Sequence, residues 1–130
     1  METVINTFLK RLTDRDPDGI AQLFSEEIDW YVPGDPALPW VGHRNKRADV
    51  ADYFRTMWPH FQQGKSTTKL EKIVVAGEDA VLFANFKHTA ASTGRSWETP
   101  VALHLTILGD KIVRLHLYED MLAVGNAFFD

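Results

Sequence analysis

The chain contains no cysteine. Disulfides, thiolate nucleophiles and cysteine-ligated zinc are thereby excluded, and nothing in the fold depends on an oxidising compartment. No apolar run is long enough to span a bilayer, so no membrane partner is expected. Met1 to Leu12 interleaves Glu2, Asn6, Lys10 and Arg11 with its apolar residues, unlike the continuous core of a signal peptide, and cytoplasm is the default location. Positive charge is scarce: 14 Lys and Arg stand against 18 Asp and Glu, for a formal net charge of −4. Phosphate backbones need clustered cations, and the longest cluster, Arg44, Lys46 and Arg47, is short, so nucleic acid is not an expected partner. The five histidines lack paired short spacing, so no metal site is expected.

What remains is an ordinary globular composition, 45% hydrophobic and 25% charged, in 130 residues without internal repeat or low-complexity tract. That length supports one domain around one core, spanning 1–130. Val4, Ile5, Phe8, Leu9 and Leu12 recur at three- and four-residue spacing, which predicts an amphipathic helix over Glu2 to Thr13. Asp16-Pro17 reads as an N-cap with proline in the first turn of a second, short helix carrying Ile20, Leu23 and Phe24. Ile28, Trp30 and Val32 then alternate with Asp29 and Tyr31, the pattern of a first strand, ended by Pro33-Gly34. Gly34 to Arg44 is a loop, but its Leu38-Pro39-Trp40-Val41 is too apolar for a solvated linker and should fold over a core or a cavity mouth. Asn45 reads as the cap of a third helix with Val50, Phe54 and Met57 on its buried side.

The second half changes in kind. Ser66 to Ala76, Asp79 to Ala91, Arg95 to Leu108 and Lys111 to Asp120 are strand-like runs separated by Gly77-Glu78, Ser92-Thr93-Gly94 and Gly109-Asp110, which are hairpin connections. Three helices and an edge strand followed by a four-stranded meander make an α+β layout, with helices on one face of a curved, mainly antiparallel sheet.

That order resembles the nuclear transport factor 2-like superfamily, a cone-shaped, cystatin-like α+β fold with a pocket between sheet and helices. Asp16-Pro17-Asp18-Gly19-Ile20-Ala21-Gln22-Leu23-Phe24 is similar to its second-helix signature, Leu38-Pro39-Trp40-Val41-Gly42 and Val50-Ala51-Asp52-Tyr53-Phe54 to its loop and third helix, and Thr93-Gly94-Arg95 and Gly109-Asp110-Lys111-Ile112-Val113 to its hairpins. Tyr118-Glu119-Asp120 resembles the strand end of the SnoaL-like branch, whose relatives include polyketide cyclases. The resemblance implies a homodimer through the outer sheet face, where Ala102, His104, Thr106, His116 and Tyr118 lie. It does not carry one reaction, because this scaffold hosts isomerases, dehydratases, cyclases, hydrolases and plain binding modules. The tyrosine and two aspartates of the ketosteroid isomerase branch fall here on Phe8, Val32 and Leu103, none of which exchanges a proton.

The candidate chemistry lies at the end of the last strand. Alternation from Val113, Leu115 and Leu117 points Glu119 into the pocket, whereas the resemblance favours Asp120 as the acid–base residue. A bulge would turn Asp120 inward; alternatively Asp120 caps the C-terminal turn through Ala123. His43, after the apolar loop, is a further candidate at the pocket mouth, against the simpler reading of a solvated loop histidine. Phe8, Trp30, Trp40, Tyr53, Phe54, Trp58 and Trp97, with Val32, Leu103 and Leu105, are the expected wall of a cavity for a small hydrophobic molecule. Two functions follow: a cofactor-independent isomerase, cyclase or dehydratase using one carboxylate, or a non-catalytic ligand-binding or dimerisation module.

Overall fold

The apolar stripe of the first segment forms helix α1, Glu2–Thr13, and buries Val4, Ile5 and Phe8. This is a computed structural model that describes residues 1–129. Helix α2, Pro17–Ala21, is capped as its sequence indicates, with the Asp16 carboxylate accepting from the Gly19 N–H at 3.0 Å. Strand β1, Phe24–Val32, and strand β2, Gly42–Lys46, precede helix α3, Ala48–Met57, and a single 3-10 turn at Trp58–His60. The meander follows as β3, Thr67–Ala76, β4, Asp79–Thr89, β5, Ser96–Leu108, and β6, Lys111–Glu119, and helix α4, Met121–Phe128, closes the chain.

The six strands form one sheet in the order β2-β1-β6-β5-β4-β3. All pairs are antiparallel except β1 with β6. Helices pack on the concave side of this curved, open sheet, where Ile5, Phe8, Ile20, Phe24, Trp30, Val50, Leu105 and Ile112 form the core. Strand β3 is different: it is exposed along its whole length and lies at the edge against β4. That leaves the concave side open beside Thr68 and Leu70.

Four sequence expectations need correction. Phe24 opens β1 instead of ending the second helix, because the Ile112 N–H donates to the Leu23 carbonyl and draws the chain onto β6. The residues from Gly42 to Lys46, assigned to a loop and a helix cap, form β2, and α3 starts at Ala48 without Asn45 as its cap. Consequently β2, not β1, is the sheet edge on that side. The tail is a fourth helix.

The last correction concerns register. Thr106 pairs with Arg114 but Ile107 pairs with Ile112, so Val113 is an extra residue bulged out of β6. Ile112 therefore takes the fully buried place that alternation had given to Val113. Beyond the bulge the pairing is unbroken from Leu105–Leu115 to Val101–Glu119. The bulge thus sits before the apolar run and not at its end, and nothing turns Asp120 inward.

Candidate functional site

The concave side encloses a cavity of about 500 Å³ between the sheet, α1 and α3. Its size is that of small-molecule sites. Nine of the ten expected wall residues line it: Phe8, Trp30, Val32, Trp40, Tyr53, Phe54, Trp58, Trp97 and Leu103. Leu105 does not; it is fully buried in the core between β4 and β6. Phe8, Val32 and Leu103, the positions that the resemblance matched to the ionisable groups of the isomerase branch, are all wall residues. Aromatic rings pack mostly edge to face: Trp30 meets Tyr53 at 4.8 Å and Phe54 at 6.1 Å, and Trp40 meets Phe61 at 5.7 Å. The apolar loop does fold back, with Leu38 and Trp40 buried.

One carboxyl enters this wall. Continuous alternation through Leu115 and Leu117 carries the side chain of Glu119 onto the cavity. Among the described residues no donor pairs with it. Burial disfavours its charge, the adjacent Asp120 carboxylate adds to the effect, and its pKa is pushed up to about 7. The nearby Tyr53 phenol is also held in its neutral form, by burial first and by the Glu119 charge second. The Trp30 indole N–H is fully buried and has no hydrogen-bond partner among the described residues.

Asp120 has another task. Its side chain accepts from the N–H groups of Leu122 and Ala123, both at 3.1 Å, and so caps α4. Its own N–H donates to the buried Thr99 hydroxyl at 2.8 Å, which pins the strand end. Asp120 is exposed and outside the cavity wall. His43 is outside it as well: it stacks on Tyr31 at 4.2 Å on the outer face, because β2 is a strand whose alternation sends it there. Arg44 turns inward, donating to the Trp40 carbonyl at 2.9 Å and lying over the Tyr53 ring at 5.1 Å.

The outer face holds a separate polar row. His104 bonds to Asp79 and His116 to Asp29, each at 2.8 Å, and Thr106 and Arg114 complete the two carboxylates. These contacts hold both aspartates below their usual range, Asp29 chiefly through His116 and Asp79 chiefly through Thr106. No group of three or more His, Asp or Glu side chains among the described residues is arranged to hold a metal.

Sequence reasoning missed the opposite end of the cavity. Ser66 and His88 both line it, hydrogen-bonded through Oγ and Nδ1 at 2.8 Å. His88 stacks on Phe61 at 4.5 Å, and burial first, then the Arg15 charge, pushes its pKa down to about 4. Alternation along Leu82, Ala84, Phe86 and His88 was the available signal.

The comparisons agree with this architecture. Residues 5–115 match the SnoaL-like domain. The chain belongs to the SnoaL-like family. Solved structures share the fold: an NTF2-like protein from Burkholderia thailandensis is 21% identical, with TM-score 0.85 over 98% of this chain and 96% of that one. An NTF2-like protein of unknown function from Burkholderia pseudomallei is 15% identical, with TM-score 0.88 over 99% and 97%. TerC, co-crystallised with polyporic acid, is 17% identical, with TM-score 0.83 over 96% and 95%. At such identities the likeness concerns the fold alone. No curated protein sequence matches the chain. Among the described residues, no helix is long and apolar enough to cross a membrane.

Proposed function

We propose that the cavity binds a small, flat, largely apolar carbonyl compound and that Glu119 exchanges a proton with it, without a cofactor. The observation that carries this reading is a lone carboxyl in an apolar wall with a pKa near 7, the value at which one group serves as both base and acid at neutral pH. As base, the Glu119 carboxylate takes the proton from the carbon beside the carbonyl; the C–H electron pair moves into an enolate. The resulting acid, whose proton exchanges with solvent, returns a proton to carbon, giving an isomer, and no oxidant or reductant is consumed. Tyr53, kept as a phenol, is the wall's donor for the enolate oxygen. That TerC was co-crystallised with polyporic acid supports small-molecule binding on this scaffold.

Deuterium exchange at the activated carbon of 2-tetralone in D2O tests the reading. The protein should accelerate exchange, and Glu119→Gln should slow it about 100-fold, the usual contribution of a positioned acid–base group. Binding of 2-tetralone without acceleration would favour the non-catalytic binding module. We also propose that the outer sheet face forms a homodimer. Asp29 and Asp79 there are already bonded within the chain, to His116 and Arg114 and to His104 and Thr106, and Phe83 and Tyr118 stand exposed at 39% and 58%. Light scattering should give the mass of two chains; a monomer at micromolar concentration would contradict it.

A further inference from the structure

A cation stands at the mouth of the cavity. Arg15 lines the cavity, is half-buried, and forms no ion pair among the described residues. Its guanidinium lies over the Trp58 ring, 5.5 Å from the centroid. The backbone at Arg15 has φ of 50°, the left-handed position that ends α1, with Arg15 N–H donating to the Leu12 carbonyl and Asp16 N–H to the Arg11 carbonyl. Glycine is the residue that suits this position, and arginine is strained in it. The packing therefore holds a charged side chain over the opening where folding alone would favour none.

Arg15 does not stand alone. Its charge is felt by His88, and His88 is bonded to Ser66 on the same stretch of wall. Whichever tautomer His88 adopts, the pair keeps one proton to give: Nε2–H when Nδ1 accepts from Ser66, or the Ser66 hydroxyl when Nδ1 donates. A delocalised cation beside one neutral donor matches a carboxylate, whose two oxygens take one partner each. Glu119 lies at the other end: it pairs with Val101, and His88 with Trp97, four residues back along β5, or about 13 Å at strand rise. Apolar and aromatic side chains fill the wall between them.

We propose that Arg15, His88 and Ser66 form a carboxylate-binding station at the cavity mouth, so that the ligand is a flat aromatic or alicyclic carboxylate whose far end reaches Glu119. The assignment of the far end rests on the proposed function; the mouth station does not.

The test compares 6-acetyl-2-naphthoate with its methyl ester by calorimetry at pH 7.5. Both probes have the same ketone and ring system and differ in the charge at one end. The wild type should bind the acid at least about tenfold more tightly than the ester, the usual scale of a charge-assisted pair. Arg15→Gly should close that gap while thermal stability is kept, because glycine suits the left-handed backbone; Arg15→Gln, which keeps the stem over Trp58, should close it too. Glu119→Gln should leave the gap in place. On binding, the acid and not the ester should raise the His88 pKa, read by NMR. Equal affinities in the wild type, a gap that survives both Arg15 variants, or no binding of either probe below roughly 1 mM would overturn the proposal. A gap closed by the Arg15 variants while Glu119 titrates as an ordinary carboxyl would sustain the mouth station and refute the proton-transfer reading alone.

Discussion

Glu119 on β6 and Asp29 on the neighbouring β1 are carboxyls of one sheet, and their surroundings move them in opposite directions. Asp29 faces outward, accepts from His116 and Arg114, and is held below the usual carboxylate range. Glu119 faces inward with no donor among the described residues, and burial pushes it up to about 7. Strand alternation decides which face each occupies, and the face decides the proton. On the outer face Asp29 and Asp79 are paired and half solvated. The inner face forgoes pairing and so keeps a group whose proton is exchangeable at neutral pH.

The largest expected effect breaks the contrast between faces at two adjacent residues. Trp30 is 1% exposed and touches Phe24, Tyr53 and Phe54, so Trp30→Ala should cost roughly 3–5 kcal/mol in urea denaturation. Tyr31, on the opposite face of the same strand, should cost about 1 kcal/mol when replaced by alanine. Similar costs at both positions would refute the assignment of faces.

The second prediction concerns pH. The Glu119 pKa rises from 4.5 to about 7 on folding, so the folded chain binds the proton more tightly. Its stabilising contribution is complete below pH 4.5 and is lost as pH rises through 7. Glu119→Gln should therefore gain on the order of 3 kcal/mol over the wild type at pH 8 relative to pH 4.5. His88 works the other way. Its pKa falls from 6.5 to about 4, so its contribution is present above pH 6.5 and is lost as pH drops through 4. The two slopes oppose each other between pH 4.5 and 6.5, and wild-type stability should be nearly level there. In Glu119→Gln the same interval should instead show stability falling with acid, the uncovered contribution of His88.

The smallest effect sharpens the outer side of the comparison. Asp29 is half solvated, so Asp29→Asn should cost below about 1 kcal/mol at pH 7, with solvent screening the pair. Because its pKa is lowered, that small contribution should vanish only as pH falls below 3.8. Urea midpoints at pH 7 and pH 3 measure both statements.

The inner face was legible because its signals are local. The stripe of α1 appears where three- and four-residue spacing put it, and the hairpins at Gly77, Gly94 and Gly109 each use a glycine with positive φ. Alternation alone singled out Glu119, while family likeness pointed to Asp120, and the geometry puts Glu119 on the cavity. What escaped the sequence depends on distant partners. Strand β2 has no apolar alternation, because an edge strand with Gly-His-Arg-Asn-Lys need bury little, and only its pairing with β1 makes it a strand. The bulge at Val113 needs the register against β5 to be seen. The mouth combines a helix end with β3, β4 and the 3-10 turn, and no local spacing relates Arg15, Ser66 and His88.

The central claim is that Glu119 carries a proton into the neutral range. Carbon-13 NMR of the glutamate side-chain carboxyls, with Glu119→Gln to assign the resonance, measures it directly. A midpoint near 7 is the predicted result; a midpoint near 4.5, the ordinary value, would contradict the account.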